Sequence, residues 1–374
     1  MNLIKRSPYH HKFAALGAEF VDRIGFAAPL VFTTTQEEHL ATRNAVGLFD
    51  VYYQVAVEIA GRDAEALLQR LLVSDVSRQN IRQVVYASLC NEAGGMIDDL
   101  TCFRLTADRF WLFPTPSRVT AAVAALQLGA AGLNATVTNL GYKNAFLSIQ
   151  GPRSRDLLSR VAGGDVSGAA LPYFNFTEMS VADVPDVLVS RTGYSGELGY
   201  ELFFPVEYAE HMWDCVFEAG ADLGVKPCGL GALRTLRLEK KYVLYGLDVN
   251  ETTSPIEAGL SWTVKLQKPD FVGKEALERQ KREGVKRLLI LVEFENLDFV
   301  PAIGAPITAN GTELGKVTSA DRGYSIGKSL AFGYVATAFA KAGQAVAVQG
   351  PEGGRPGTIH LKSVYDPDGA RLRS

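Results

Sequence analysis

Residues 56–72 read AVEIAGRDAEALLQRLL, and residues 146–162 read FLSIQGPRSRDLLSRVA. Shifted by 90 positions, Ile59 falls on Ile149, Gly61 on Gly151, Leu67–Leu68 on Leu157–Leu158 and Arg70 on Arg160. Each stretch alternates apolar and polar residues, reaches a glycine, and continues with leucines at helical spacing. The pattern predicts a strand, a turn and an amphipathic helix, twice. Binary patterning alone makes two such units look alike, so duplication of an ancestral unit stays open. Two looser copies turn on proline: RFWLFPTPSRVTAAVAAL at 109–126 and YELFFPVEYAEHMWDCVF at 200–217.

Between these units lie hairpins such as CNEAGGMIDDLTCFRL at 90–105, where Gly94–Gly95 can supply positive φ. Hairpins mixed with strand–helix units predict an antiparallel α+β fold rather than a doubly wound sheet. Upstream, QEEHLATRNAV (36–46) has helical spacing. Thr35 with Glu38 reads as a capping box, and Gly47 as the helix C-terminal glycine. Residues 265–285 are charged and read as a helical connector. Beyond 285 come short strands with turns, and Asn310–Gly311 is a strong hairpin signal, so this tail reads as a small all-β barrel or sandwich.

At 374 residues, and roughly 150 per domain, the chain is long enough for two or three domains. Apolar residues make up 47% and charged residues 21%, which excludes disorder as the main state. The net charge of -3 argues against a general nucleic-acid or anionic-membrane surface. Cys90, Cys102, Cys215 and Cys228 show no C-x-x-C spacing, and the five histidines form no H-x-x-x-H pair. A metal site and a disulfide framework are therefore not expected. The N-terminus MNLIKRSPYHHKF lacks a signal-peptide core, and no run reaches about 18 apolar residues, so the expected location is cytoplasmic.

Two stretches stand out for chemistry. GYSGELGYE (193–201) is glycine-dense, but strands lead in and out of it, which argues against a phosphate loop. It reads either as a plain hairpin or as a rigid turn presenting Tyr194 and Glu201 to a flat polar ligand. Asp98–Asp99 ends GGMIDD. Strand alternation turns one carboxylate inward and the other to solvent, and the inward one is a candidate general base. No G-x-S-x-G elbow exists, and Cys228 in KPCGLGALR reads as a small buried residue.

In this order the motifs resemble the aminomethyltransferase family, the folate-dependent glycine cleavage T-protein and its demethylase relatives. They are EEHLATRNAVGLFDV (37–51), NEAGGMIDDL (91–100), QGPRSRDLL (150–158), RTGYSGELGYE (191–201), KPCGLGALRTLRLEKKYVLYGLDVNETTSPIEAGLSWTVKL (226–266), DFVGKEAL (270–277) and GKVTSADRGYSIGKSLAFGYV (315–335). The resemblance implies a three-lobed, cloverleaf-like fold around a tetrahydrofolate channel. Lobe 1 would be residues 1–49 and 141–264, lobe 2 residues 50–140, and lobe 3 residues 265–374 with the connector helix and an all-β barrel.

The resemblance further implies that Asp99 sits near the reactive folate nitrogens and that Glu201 grips the pterin edge. Tyr86, Tyr194, Thr115 and Gln54 would also contact the folate. The chain departs from T-proteins where they read DVSHM and it reads DVYYQ (50–54), where Leu233 replaces a functional arginine, where Thr115 replaces an asparagine, and where Lys240 replaces an alanine. Arg234 is adjacent to Leu233 but lies about 100° around the helix. Tyr52, Tyr53 and Arg234 thus become candidate donor contacts, with Tyr52 and Tyr53 joining Asp99 as candidate catalytic groups.

The leading reading of these departures is a tetrahydrofolate-dependent methyltransferase demethylating a small O-, N- or S-methylated compound. The second reading is a divergent aminomethyltransferase of glycine cleavage, partnered by a lipoyl carrier protein. The third is a folate-binding protein without turnover. Neither nucleic acid nor membrane is an expected partner.

Overall fold

A computed structural model describes residues 4–374. The two repeated stretches form the same unit. Strand Val57–Ala60 leads through Gly61 to helix Ala64–Leu71, and strand Asn144–Gln150 leads through Gly151 to helix Ser154–Val161. Both glycines take φ values that disfavour side chains, +132° and +131°. A Cβ there would meet the carbonyl oxygens of Asn134 at 2.4 Å and Ala45 at 2.3 Å. The helices bury Leu67, Leu68 and Leu71 in one case and Leu157 and Leu158 in the other. The proline-ended copies also pass from strand to helix, Arg109–Pro114 to Val119–Gly129 and Gly199–Pro205 to Ala209–Ala219.

These units build two sheets. One has five antiparallel strands, in the order 84–90, 96–104, 109–114, 57–60, 136–139. The other has six, in the order 176–181, 184–190, 199–205, 144–150, 46–50, 225–228, and its last pair is parallel. A three-stranded sheet of Lys5–Arg6, Phe26–Val31 and Glu19–Arg23 stands near the N-terminus. Strands between Arg287 and His360 close a six-stranded barrel, with Asn310 and Gly311 both at positive φ in its hairpin turn. The expected α+β architecture with a C-terminal barrel is the observed one.

Aromatic packing joins the sheets. Phe146 and Phe203 of the six-stranded sheet lie 4.3 Å apart, and Phe203 meets Phe113 of the five-stranded sheet at 4.6 Å between ring centres. Cys90 and Met96 of the five-stranded sheet share a core with Leu289, Leu291 and Phe332 of the barrel. A polar knot ties the same parts together. Arg43, fully buried, donates to Glu239 at 2.8 Å, to Glu197 at 3.1 Å and to Ser325 at 3.1 Å, and its guanidinium lies over the Tyr365 ring. A buried cation persists only when paired in this way.

Three local expectations are corrected. The N-cap of helix Thr35–Asn44 is Thr34, which accepts from the Glu37 N–H. Glu38 makes no capping box: its carboxylate accepts from the N–H groups of Phe32, Thr33 and Gly229, because burial makes those orphan donors the stronger claim. Gly47 is not a helix terminator. It lies in strand Val46–Asp50, where a Cβ would strike Thr42 Oγ1 at 2.3 Å. The connector is helical only over Lys274–Glu283, since Pro269 and Gly273 interrupt the segment before it.

Candidate functional site

The hairpin 84–90/96–104 places Tyr86 opposite Thr101 and Ser88 opposite Asp99, so Tyr86 and Asp99 lie two positions apart along the ladder. The Tyr86 hydroxyl donates to Asp99 Oδ2 at 2.7 Å, while Asp99 Oδ1 is buried without a partner. Asp98 takes the opposite face of the strand and is fully buried. It accepts from the Thr115 and Asp99 N–H groups, both at 3.0 Å. The alternation expected of a strand is present, Asp98 being fully buried and Asp99 half-buried, although Asp99 Oδ1 is itself buried. Burial drives both acids up. Asp98 lies well above the usual carboxylate range, with Asp99 beside it as second cause. Asp99 rises to about 6, with the Tyr86 hydrogen bond opposing burial and Asp248 adding to it.

Thr115, just past strand Arg109–Pro114, holds this arrangement through its backbone and brings its hydroxyl to the Asp99 carbonyl at 3.4 Å. Trp262, in the short turn Ser261–Thr263, stacks on the Tyr86 ring at 5.9 Å and 25°, yet is 60% exposed. Nothing in its spacing marked it, although it lies within the quoted motif at 226–266. Asp248 was also missed. It is buried, bonds Arg237 at 2.7 Å and Ser319 at 2.6 Å, and acts electrostatically on both Asp99 and Tyr194.

The glycine-dense turn is closely packed. Gln150 packs where the Cβ atoms of Gly193 and Gly199 would stand, at 2.1 and 2.3 Å from its Oε1, and Ser195 donates to it at 2.7 Å. Tyr194 consequently reaches across to donate its hydroxyl to the Val243 carbonyl, with its ring 5.6 Å from Tyr242. Glu201, on strand Gly199–Pro205, accepts from the Thr192 hydroxyl; burial raises its carboxyl to about 7, with that hydrogen bond opposing. Tyr86, Asp99 and Tyr194 lie close enough to act on one another electrostatically.

The rebuilt 50–54 segment divides. The Tyr52 hydroxyl donates to the Tyr142 carbonyl at 2.9 Å and its ring packs edge-on to Phe26, so it meets neither Asp99 nor Tyr86. Tyr53 is buried, and its hydroxyl feels the charges of Arg23 and Arg234. The Gln54 N–H bonds the Val51 carbonyl, leaving the half-buried side chain without a hydrogen bond among the described residues. Leu233 packs with Phe49 and Leu236, and Arg234 is exposed. Cys228 is buried, and burial pushes its thiol far up. Among the described residues no cluster suits a metal ion, and no helix is long and apolar enough to cross a membrane.

Comparison with known proteins adds an independent line. A family model described as the GCVT N-terminal domain matches residues 9–268, and one described as the glycine cleavage T-protein C-terminal barrel domain matches residues 286–366. An aminomethyltransferase of Halothermothrix orenii is 37% identical over 92% of this chain and 95% of its own length. One of Thermotoga neapolitana is 36% identical over 89% and 90%. The crystal structure of glycine cleavage system aminomethyltransferase T from Bartonella henselae superposes with a TM-score of 0.87 at 29% identity, covering 96% of this chain and 97% of that one.

Proposed function

The chain belongs to the glycine cleavage T-protein aminomethyltransferase family, and from that premise we propose that it transfers a one-carbon unit to tetrahydrofolate, taking an aminomethyl group from the lipoyl arm of a carrier protein. The observation that carries the reading is Asp99: one carboxylate oxygen held by Tyr86, the other buried and unpartnered beneath a stacked Tyr86–Trp262 pair. A buried acceptor without a donor is costly, and a ligand N–H relieves it. The residues present therefore fit a folate: aromatic faces for a flat ring, a lone acceptor in Asp99, and a second carboxylate in Glu201 for an aminopyrimidine edge.

Bound tetrahydrofolate would supply the nucleophilic nitrogen, so the protein need not supply a nucleophile. What the protein supplies is position and proton control. Asp99, raised to about 6, is mostly ionised at neutral pH and close enough to neutrality to take a proton at Oδ1. Tyr86 holds the other oxygen so that the carboxyl cannot rotate away. Thr115 and Tyr194 hold the surrounding walls in place. We take residues 1–49 with 141–264, 50–140 and 265–374 as the three lobes; the strand content of the two sheets and the barrel supports that division.

The demethylase reading that led from sequence takes second place, because the relatives matched over nine-tenths of the chain are named aminomethyltransferases. The feature that still favours it is the DVYYQ segment at 50–54, where T-proteins read differently. Incubation with tetrahydrofolate and either aminomethyl-loaded lipoyl carrier or methylated probes, followed by mass spectrometry of the folate, decides. Methylene-tetrahydrofolate made only with the carrier supports the proposal. Methyl-tetrahydrofolate made from a small probe overturns it in favour of demethylation.

A further inference from the structure

The corner around Tyr53 holds two arginines that form no ion pair among the described residues. Arg23 ends strand Glu19–Arg23. Ile24 and Gly25, both at positive φ, turn the chain so that Arg23 pairs with Phe26. Phe26 packs in the same apolar cluster as Tyr53, and so do Leu230 and Leu233 of helix Leu230–Glu239, which carries Arg234. Strand turn and helix therefore carry both arginines to the edge of the cluster that holds Tyr53. Arg23 is half-buried, with its Nε buried and unpartnered, whereas Arg234 opens to solvent. Among the described residues neither forms an ion pair, and the Tyr53 hydroxyl has no hydrogen-bond partner. Burial pushes that hydroxyl up, and both positive charges pull against burial and against Asp50. Two acids face the corner. Asp50 is occupied by the Tyr52 N–H at 2.9 Å, and Asp321 lies on the Arg234 side without contacting it as an ion pair.

We propose that Arg23, Arg234 and Tyr53 form a subsite for a carboxylate carried by a ligand of the one-carbon transfer, an assignment that rests on the folate reading above. A planar guanidinium fork matches a carboxylate through paired N–H bonds, and a neutral phenol adds a third donor without adding charge. The half-buried Arg23 side excludes water from the bonded group, and the exposed Arg234 side leaves an entrance. Two sources supply a carboxylate here: the glutamate tail of the folate, or the one-carbon donor.

The test is anaerobic calorimetry on wild type, R23Q/R234Q, and Y53F as the variant least able to disturb folding. Tetrahydrofolate, tail-less 6-methyltetrahydropterin, and the carboxylate-bearing methyl probes methoxyacetate and N,N-dimethylglycine are titrated, the last two onto protein loaded with tetrahydrofolate. A tenfold or greater rise in the tetrahydrofolate Kd of the double variant, with the tetrahydropterin Kd unchanged, supports the subsite and assigns it to the folate tail. An unchanged tetrahydrofolate Kd with probe binding lost in the variants supports it and assigns it to the donor. Unchanged binding of every ligand in both variants overturns it. Wild type that binds neither tetrahydrofolate nor 6-methyltetrahydropterin overturns the folate reading instead, a distinct failure.

Discussion

Tyr86 donates to Asp99 Oδ2 at 2.7 Å across a hairpin whose other strand face is closed by Asp98. The bond favours the ionised carboxylate and opposes the rise that burial imposes. Tyr86→Phe removes that opposition, so the Asp99 carboxyl moves further up from about 6. The acid limb of the kcat/KM profile is expected to shift to higher pH in this variant, while activity above the limb falls modestly. Asp99→Asn abolishes the limb and lowers kcat by roughly 10²-fold or more, the usual scale for a lost general acid–base. A limb unmoved in Tyr86→Phe would separate the limb from Asp99.

Glu201, at about 7, gives binding its own pH dependence. If its carboxylate accepts ligand N–H groups, only the ionised form binds well. Affinity for 6-methyltetrahydropterin is then expected to tighten as pH rises from 6 to 8, and Glu201→Gln flattens the curve at the weak end. Stability runs the other way. The folded acid holds its proton above the unfolded value of about 4.3, so this group's contribution falls as pH rises from there to about 7. Calorimetric titration and thermal melts across this range measure the two slopes independently.

Trp262 covers the Tyr86 ring while 60% exposed, so it can be removed without opening the core. Trp262→Ala is expected to leave the melting temperature within a degree or two and to weaken tetrahydrofolate binding. Stacking of a flat heterocycle on an aromatic face is worth ~1–3 kcal/mol, which corresponds to a loss of roughly fivefold to a hundredfold. Unaltered affinity would place the ligand away from this ring.

Arg43 binds Glu239 and Glu197 in full burial. Arg43→Met leaves buried Glu239 with only His39 and buried Glu197 with only Arg371 as basic partners among the described residues, and is expected to destabilise the fold by about 3–5 kcal/mol. Chemical denaturation measures this directly. A loss under 1 kcal/mol would show that Arg371, which also reaches Glu197 at 3.1 Å, carries the knot.

Periodicity sufficed where a residue's fate depends on near neighbours in the chain. The strand–glycine–helix units at 57–71 and 144–161, the hairpin at 84–104, the Asn310–Gly311 turn and the barrel after 285 are all of this kind. It failed where long-range packing reassigned a local signal. Glu38 was drawn from its cap to the N–H of Gly229, 191 positions away, and Gly47 became a close-packed strand residue. Asp99 and Tyr86 could be named from motif likeness, but their mutual bond could not. Trp262 and Arg23 carried no local mark at all.

The strand–helix units follow from the sequence alone, because hydrophobic period and glycine placement are properties of adjacent residues. Which carboxylate is buried, which oxygen lacks a partner, and which arginines form no ion pair were decided only when the sheets and barrel packed together. Desolvation and charge proximity are set by residues distant in the chain, and those quantities shift a carboxyl by units and leave an N–H orphaned.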